Sequence, residues 1–259
     1  MTTLSRRQVL AMIGTTGAAL ALAPSLTFAA DNTVVCGWNG AFPPFSMERD
    51  GKMTGILVEC LDELLGKRMG MTVVHKTAPW ASVQDMVRTG AIDSLCTNPT
   101  QSRCQYMLFC KLPLVESLPA IFRAKDNPRG AEIDRVTNLE GLRDFRQVDY
   151  AGNGWAHETF PPDLHIVWAD TLADALAMVA DGRADIFVGN TLAAMYAMGQ
   201  GGLRDKIRVR ELAVGKPSSF HFGLRRNYPD AQGIIERFAQ AQDEATAEDA
   251  LDDIIQKYL

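Results

Sequence analysis

The sequence predicts an α/β fold of two lobes, each a mainly parallel sheet flanked by helices, with two hinge crossings between them. Three observations carry this expectation. Short apolar runs with strand character alternate with amphipathic helical patterns along the chain, as they do where strands pair through helical crossovers. At 259 residues the chain has reached the size at which one hydrophobic core stops growing. A short segment also recurs: Met86-Val87-Arg88-Thr89-Gly90-Ala91-Ile92-Asp93 matches Met178-Val179-Ala180-Asp181-Gly182-Arg183-Ala184-Asp185 at a spacing of 92 residues, so each lobe is expected to hold one helix-Gly-strand unit. In such a unit the glycine turns the chain out of the helix, and the strand's C-terminal end delivers polar residues to the crevice where open α/β sheets bind ligands.

The elements follow in order. Val34-Val35-Cys36 reads as the first strand, and a Gly-, Pro- and aromatic-rich loop runs from Gly37 to Phe45. Leu57, Cys60, Leu61, Leu64 and Leu65 then fall at i, i+3, i+4, i+7 and i+8, one face of a helix that Gly70 stops. Met71 to His75 reads as a second strand, Val83, Met86 and Val87 mark a helix ending at Gly90, and Ile92 to Cys96 reads as a third strand. The polar Pro/Gly segment from Arg123 to Gly130 is expected to cross between lobes, and a return crossing is expected between Val214 and Phe222. The expected division is residues 30–123 with 219–259 for lobe 1 and 124–218 for lobe 2. Two C-terminal helices, Ala231 to Gln242 and Glu248 to Leu259, should pack back on lobe 1.

The first residues stand apart. Arg6 and Arg7 precede an uncharged stretch that ends in Thr27-Phe28-Ala29-Ala30, which predicts a cleavable export signal over residues 1–29. Ser5-Arg6-Arg7-Gln8-Val9-Leu10 resembles the twin-arginine export motif, with Val9 in place of the usual Phe and no Lys after Leu10. Gly14, Gly17 and Pro24 weigh against an uncleaved anchor. Cleavage moves the formal charge from −5 to −7, because two arginines and no acids are lost. The first cysteine, Cys36, is not at the cleavage point, so no lipid anchor is expected. The mature chain should be periplasmic, with no stable membrane insertion.

The acidic balance excludes nucleic acid as a partner, since no Lys/Arg run supplies the basic face that phosphate demands. Cys36, Cys60, Cys96, Cys104 and Cys110 have spacings that fit neither a zinc knuckle nor a CxxC pair, and an odd count leaves at least one thiol free or bonded to another molecule. His75, His157, His165 and His221 are scattered without ligand spacing. No metal and no cofactor are therefore expected. One cleft per monomer suffices for binding, so a monomer is expected.

Several landmarks carry a resemblance. They are Ala41-Phe42-Pro43-Pro44-Phe45, Gly55, Trp80, Gly90-Ala91-Ile92-Asp93, Thr100-Gln101-Ser102-Arg103, Gly154-Trp155-Ala156 with Glu158-Thr159-Phe160, and Gly182-Arg183-Ala184-Asp185. In this order and spacing they resemble the periplasmic solute-binding proteins of the polar amino-acid type, bacterial family 3, over essentially the whole mature chain. The resemblance implies the two-lobed type II periplasmic binding fold and a small-molecule ligand bearing a carboxylate, delivered to an ABC permease. It also implies roles. Arg103 would clamp the carboxylate through parallel N–H donors, and Phe42 and Trp80 would sandwich the ligand's body. Asn98 and Thr100 lie in the loop after the third strand, Trp38 and Trp155 are expected in loops at the cleft mouth, and Gly154, Trp155 and Ala156 would offer backbone N–H groups from the second lobe.

Two positions depart from the family pattern. Where its amino-acid binders carry acids for the ligand's ammonium, this sequence has Asn39 and Asn190. The ligand is then either a carboxylate without a cationic amine, or an amino acid held by amide oxygens and tryptophan faces. Two other functions compete: a periplasmic accessory or sensor-linked protein that docks on a redox enzyme or receptor, and a cyclohexadienyl-dehydratase-like enzyme. Gly189-Asn190-Thr191-Leu192-Ala193-Ala194 offers the latter no acid for general catalysis, so no enzyme is expected.

Overall fold

The structure, a computed structural model, describes residues 32–259 except 152, 213, 215 and 216, so the twin-arginine-like export segment lies outside the described residues. From Thr33 the chain runs through β1 (Thr33–Trp38), β2 (Ala41–Phe42), β3 (Ser46–Arg49) and β4 (Lys52–Thr54) to α1 (Ile56–Leu61), which continues as a wider π-helical turn over Asp62–Arg68. Next come β5 (Thr72–Thr77), α2 (Trp80–Thr89), β6 (Ser94–Thr97), α3 (Gln101–Cys104), β7 (Met107–Phe109) and β8 (Val115–Ser117). The second half holds β9 (Pro119–Ala124), α4 (Gly130–Ile133), β10 (Gln147–Tyr150), α5 (Gly154–Thr159), β11 (Ile166–Ala169), α6 (Leu172–Ala180), β12 (Phe187–Asn190), α7 (Thr191–Gln200) and β13 (Ile207–Glu211). The chain ends with β14 (Ser218–Arg225), α8 (Ala231–Ala247) and α9 (Ala250–Gln256).

The first lobe is a sheet of order β5-β1-β6-β14-β7, with β8 also on β14. β1 pairs in parallel with β5 and β6, while β14 runs antiparallel to β6, β7 and β8. The second lobe pairs β10 with β11 in parallel and sets β12 and β13 antiparallel on either side of β9. The sheets are thus mixed rather than mainly parallel. Their antiparallel strands, β9 and β14, are the ones that enter each lobe from the other.

That arrangement corrects one expected crossing. Pro119–Ala124 lies inside the second lobe's sheet, with Phe122 opposite Phe187 and Val209, so the chain has already crossed before Pro119. Of the polar segment expected to cross, Arg123 and Ala124 end that strand, buried, and residues 125–129 form a turn leading into α4. The lobe division at residue 123 is therefore displaced to the short step between β8 and β9. Ser218, at the start of β14, sits opposite Ser117 at the end of β8, which sets the start of β14 beside the step from β8 to β9.

Burial explains each element. α1 turns Ile56, Leu57, Val58, Cys60 and Leu61 into the first lobe's core, where α8 and α9 add Ile234, Phe238, Leu251 and Ile254. The C-terminal helices therefore close lobe 1, as their patterns predict. The second lobe buries Ile121, Ile186 and Val188 on one side of its sheet and Phe122, Val148, Leu176 and Phe187 on the other.

The sequence repeat is one physical device built twice. α2 and α6 end at Gly90 and Gly182, with φ of 79° and 70°, a left-handed geometry that costs a residue with a Cβ about 1–2 kcal/mol. The amides of Ala91 and Arg183 then donate to the carbonyls of Met86 and Met178 at 2.8 and 2.9 Å. Asp93 and Asp185 follow. Each accepts a backbone N–H of the neighbouring strand region, from Val35 and Arg146 at 2.9 Å, and each takes an arginine, Arg225 or Arg146, at 2.8 Å. The aspartates anchor sheets through these bonds.

Candidate functional site

In the first lobe a cavity of about 260 Å³ opens at the C-terminal ends of β1 and β6, lined by Trp38, Asn39, Phe42, Ser46, Leu57, Trp80, Cys96, Thr97, Arg103 and Phe220. The ends of parallel strands gather these groups because loops leave the sheet there, as in other open α/β sheets. Phe42, 41% exposed, stacks on the buried Phe45 with centroids 5.0 Å apart, and Phe45 packs on Phe220 at 4.6 Å. The result is a three-ring apolar wall, with one ring supplied by hinge strand β14.

Arg103 is the charged residue on that lining. α2 and the α3 turn together fix its side chain. Trp80 and Gln84 share one face of α2 at i, i+4 spacing; the guanidinium carbon lies 5.5 Å from the Trp80 ring centroid, and Nε donates to Gln84 Oε1 at 3.1 Å. Nη1 donates to the Asn98 carbonyl at 2.8 Å, and Thr100 caps α3 by accepting the Arg103 backbone N–H at 3.3 Å. Among the described residues no carboxylate forms an ion pair with Arg103, and burial lowers its pKa from the ordinary arginine range. A desolvated cation with neutral hydrogen-bond partners has the electrostatic state of a receptor for an anion.

Trp38 does not stand in a loop at the cleft mouth. It is the last residue of β1, only 2% exposed, and its indole N–H donates to His75 Nδ1 at 2.9 Å while His75 Nε2 meets Asp62 at 2.9 Å. Strand pairing explains the difference: Trp38 is opposite Thr77 of β5 and remains part of the sheet. Asn98 and Thr100 are exposed and line neither cavity; their contribution is to hold Arg103.

The second lobe carries a smaller cavity lined by Pro119, Tyr150, Asn153, Trp155, Leu172, Phe187, Asn190, Ala193 and Ser218. Its link to the first cavity is β14: Ser218 borders one and Phe220 the other, two residues apart on one strand. Trp155 lies here, edge-on to Phe160 at 5.4 Å. Gly154 and Ala156 do not line the cavity. Ala156 is 1% exposed, and its N–H is taken by the Asn153 side chain at 3.2 Å, so it has none to offer a ligand. Asn190 does line it, but its Oδ1 caps α7 by accepting the Ala193 N–H at 3.0 Å. Asn39, in the first cavity, likewise spends Oδ1 on the Ala41 N–H at 3.1 Å.

Several site residues escaped the sequence reading. Phe220, Cys96 and Thr97 come from strands β14 and β6 with no motif of their own, and Tyr150 and Asn153 precede α5. Asn153 had a signal, an Asn just before a Gly-initiated helical segment, which is N-cap chemistry. Beneath it lies Asp149, fully buried, accepting from the Tyr150 N–H at 2.7 Å and the Asn153 amide at 2.9 Å. Burial pushes the Asp149 carboxyl up to about 6.

These features have a family. Residues 34–259 match the model of the bacterial extracellular solute-binding proteins, family 3. The chain belongs to that family. It is 22% identical over 63% of its length to a probable amino-acid ABC transporter-binding protein of Haemophilus influenzae, and it spans 62% of the length of that relative. It is 28% identical over 72% of its length, and 73% of the relative's, to a putative amino-acid ABC transporter-binding protein of Vibrio harveyi. Among solved structures it resembles an ancestral cationic amino acid solute-binding protein (TM-score 0.69, 21% identity, 88% of this chain and 95% of that one). The unliganded, open L-cystine solute receptor of Neisseria gonorrhoeae is similar too (TM-score 0.70, 17% identity, 87% and 92%). The family-3 chain thus has the type II periplasmic binding fold.

Proposed function

We propose that this family-3 protein captures a small carboxylate-bearing solute, an amino acid or related organic acid, outside the cytoplasmic membrane and passes it to an ABC-type permease. One observation carries the reading: Arg103 is a half-buried guanidinium on an aromatic cavity, with no carboxylate ion-paired to it among the described residues. The relatives' names support amino-acid transport, and the family's extracellular character supports the location. Among the described residues neither cavity is lined by an acid, which favours binding over dehydratase chemistry; Asp149 is wholly buried beneath the site and engaged with Asn153.

Mechanism follows from the hinge. Phe220 and Ser218 on one strand place the two cavities on either side of the paired crossings, so rotation about Ser117 and Ser218 brings the walls together. A ligand that touches both walls only in the closed form shifts the population toward closure. Arg103→Ala tests the clamp: calorimetry with an amino-acid and organic-acid panel should show affinity lost by 30-fold or more, since removing one partner of a desolvated charge pair costs about 2–5 kcal/mol. Thermal unfolding should be unchanged. Equal affinity in the wild type and the variant would remove the proposed role of Arg103.

A further inference from the structure

We infer that Gln84 positions Arg103 and sets which edge of its guanidinium receives the ligand: a neutral amide on α2 occupies the Nε side and leaves the Nη end, with its positive charge, for a carboxylate. This rests on the carboxylate reading above and deepens it.

A guanidinium carries five N–H bonds, and a carboxylate can meet it side-on, through Nε and Nη2, or end-on, through the two Nη atoms. Here Nε donates to Gln84 Oε1 at 3.1 Å and Nη1 donates to the Asn98 carbonyl at 2.8 Å. The side-on fork is therefore already half filled by the protein. Among the described residues Nη2 has no acceptor, and one N–H of Nη1 is also unclaimed, so approach is confined to the Nη end. The orientation of the Gln84 amide is fixed by chemistry, because an arginine side chain only donates.

Charge follows the same division. A carboxylate in place of the Gln84 amide would neutralise Arg103, whereas the amide oxygen orders the guanidinium and leaves its net charge intact. Asp85, the adjacent acid on α2, is engaged elsewhere: it pairs with Arg88 at 2.6 Å.

Helix α2 makes a firm platform for this contact. Val83 and Val87 are buried and fix one face of the helix on the core, which holds the neighbouring Gln84 in register. The Trp80 ring, the Gln84 oxygen and the Asn98 carbonyl together fix the plane of the guanidinium. An arginine side chain is rich in rotamers, and ordering it before the ligand arrives removes a cost from binding. Gln84 is not on the cavity lining, so it acts through Arg103 and is a positioning residue.

The test is calorimetry and urea unfolding on two variants, with the tightest binder among the standard L-amino acids, pyruvate and succinate as the probe. Gln84→Met keeps the volume and removes the acceptor; it should weaken binding about 3- to 10-fold, the cost of ordering one long side chain. Gln84→Glu keeps the acceptor and adds a charge that competes with the probe. Its affinity at neutral pH should fall by about 30-fold or more, while its resistance to urea equals or exceeds that of the wild type. Because the probe's carboxylate weakens the pairing of the introduced carboxyl with Arg103, binding raises the pKa of that carboxyl. Gln84→Glu should therefore take up a proton on binding and regain affinity as pH falls from about 7 to about 4, with the wild type level over that range. A residue that only supports the fold gives no such dependence. Wild-type affinity in both variants, or a Gln84→Glu loss that does not change with pH, would overturn the role of Gln84. If Arg103→Ala still abolishes binding in that case, the carboxylate clamp stands without it. Binding indifferent to Arg103→Ala would defeat the clamp and this inference together, as would the failure of every probe to bind at millimolar concentration.

Discussion

Asp149→Asn should make this protein more stable at neutral pH. Asp149 sits at the end of β10 with no exposed surface; one carboxylate oxygen accepts from the Tyr150 N–H and the Asn153 amide, and the other has no hydrogen-bond partner among the described residues. Gln147, two residues back on the same strand face, is also buried with its amide unpartnered among the described residues, and His157 is the nearby group whose charge favours the carboxylate. Desolvation therefore dominates and raises the carboxyl from 3.8 to about 6, partly opposed by the Asn153 and Tyr150 hydrogen bonds. Because the folded form holds a proton that the unfolded chain has released, stability falls as pH rises from about 4 to about 6, and the penalty is fully present above that window. At about 1.4 kcal/mol per pH unit, the upper bound is about 3 kcal/mol. The asparagine keeps an oxygen for both donors and cannot ionise. Urea unfolding from pH 4 to pH 8 should show the two proteins converging at the acid end and the variant ahead by up to about 3 kcal/mol at the neutral end. A difference that does not change with pH, or a variant less stable at neutral pH, would refute the assignment of an ionised, desolvated Asp149.

Gly90→Ala and Gly182→Ala should each cost about 1–2 kcal/mol in urea unfolding, with little effect on ligand affinity. An added Cβ meets no atom within 4 Å at either position, so the left-handed backbone is the whole cost, and near-neutral variants would contradict the repeated turn. Of the five cysteines, all unpaired, Cys104 is exposed and the other four are buried, with burial pushing Cys36 and Cys60 up to about 12. Ellman's reagent should therefore titrate one thiol in the native protein and five in urea. Rapid native reaction at more than one thiol would contradict the burial.

The legible parts of the sequence were those written in local chemistry. Leu57, Cys60, Leu61, Leu64 and Leu65 fix α1 because a 3.6-residue period survives without any knowledge of the rest of the molecule. Gly90 and Gly182 fix two turns because few residues other than glycine adopt that φ comfortably. The matched segments 86–93 and 178–185 established that one unit is built twice, and the Thr100–Arg103 landmark pointed to a residue that does line a cavity.

What needed the tertiary structure depends on partners distant in sequence. Residues 119–123 were placed in the first lobe although they pair in the second lobe's sheet, because strand membership is decided by hydrogen bonds to residues 187–190 and 207–211, which no local pattern encodes. Trp38 reads the same whether it fills a loop or ends a buried strand. Sequence alone left Asn39 and Asn190 as amides of either orientation; only the fold, by bringing the Ala41 and Ala193 N–H groups against their oxygens, decided which atom of each amide faces the backbone. Periodicity determined helices such as α1, since burial of an apolar face is a short-range pattern. The charge balance of the cleft was decided by long-range packing, since a side chain's donors and acceptors acquire a direction only when the neighbours that use them are in place.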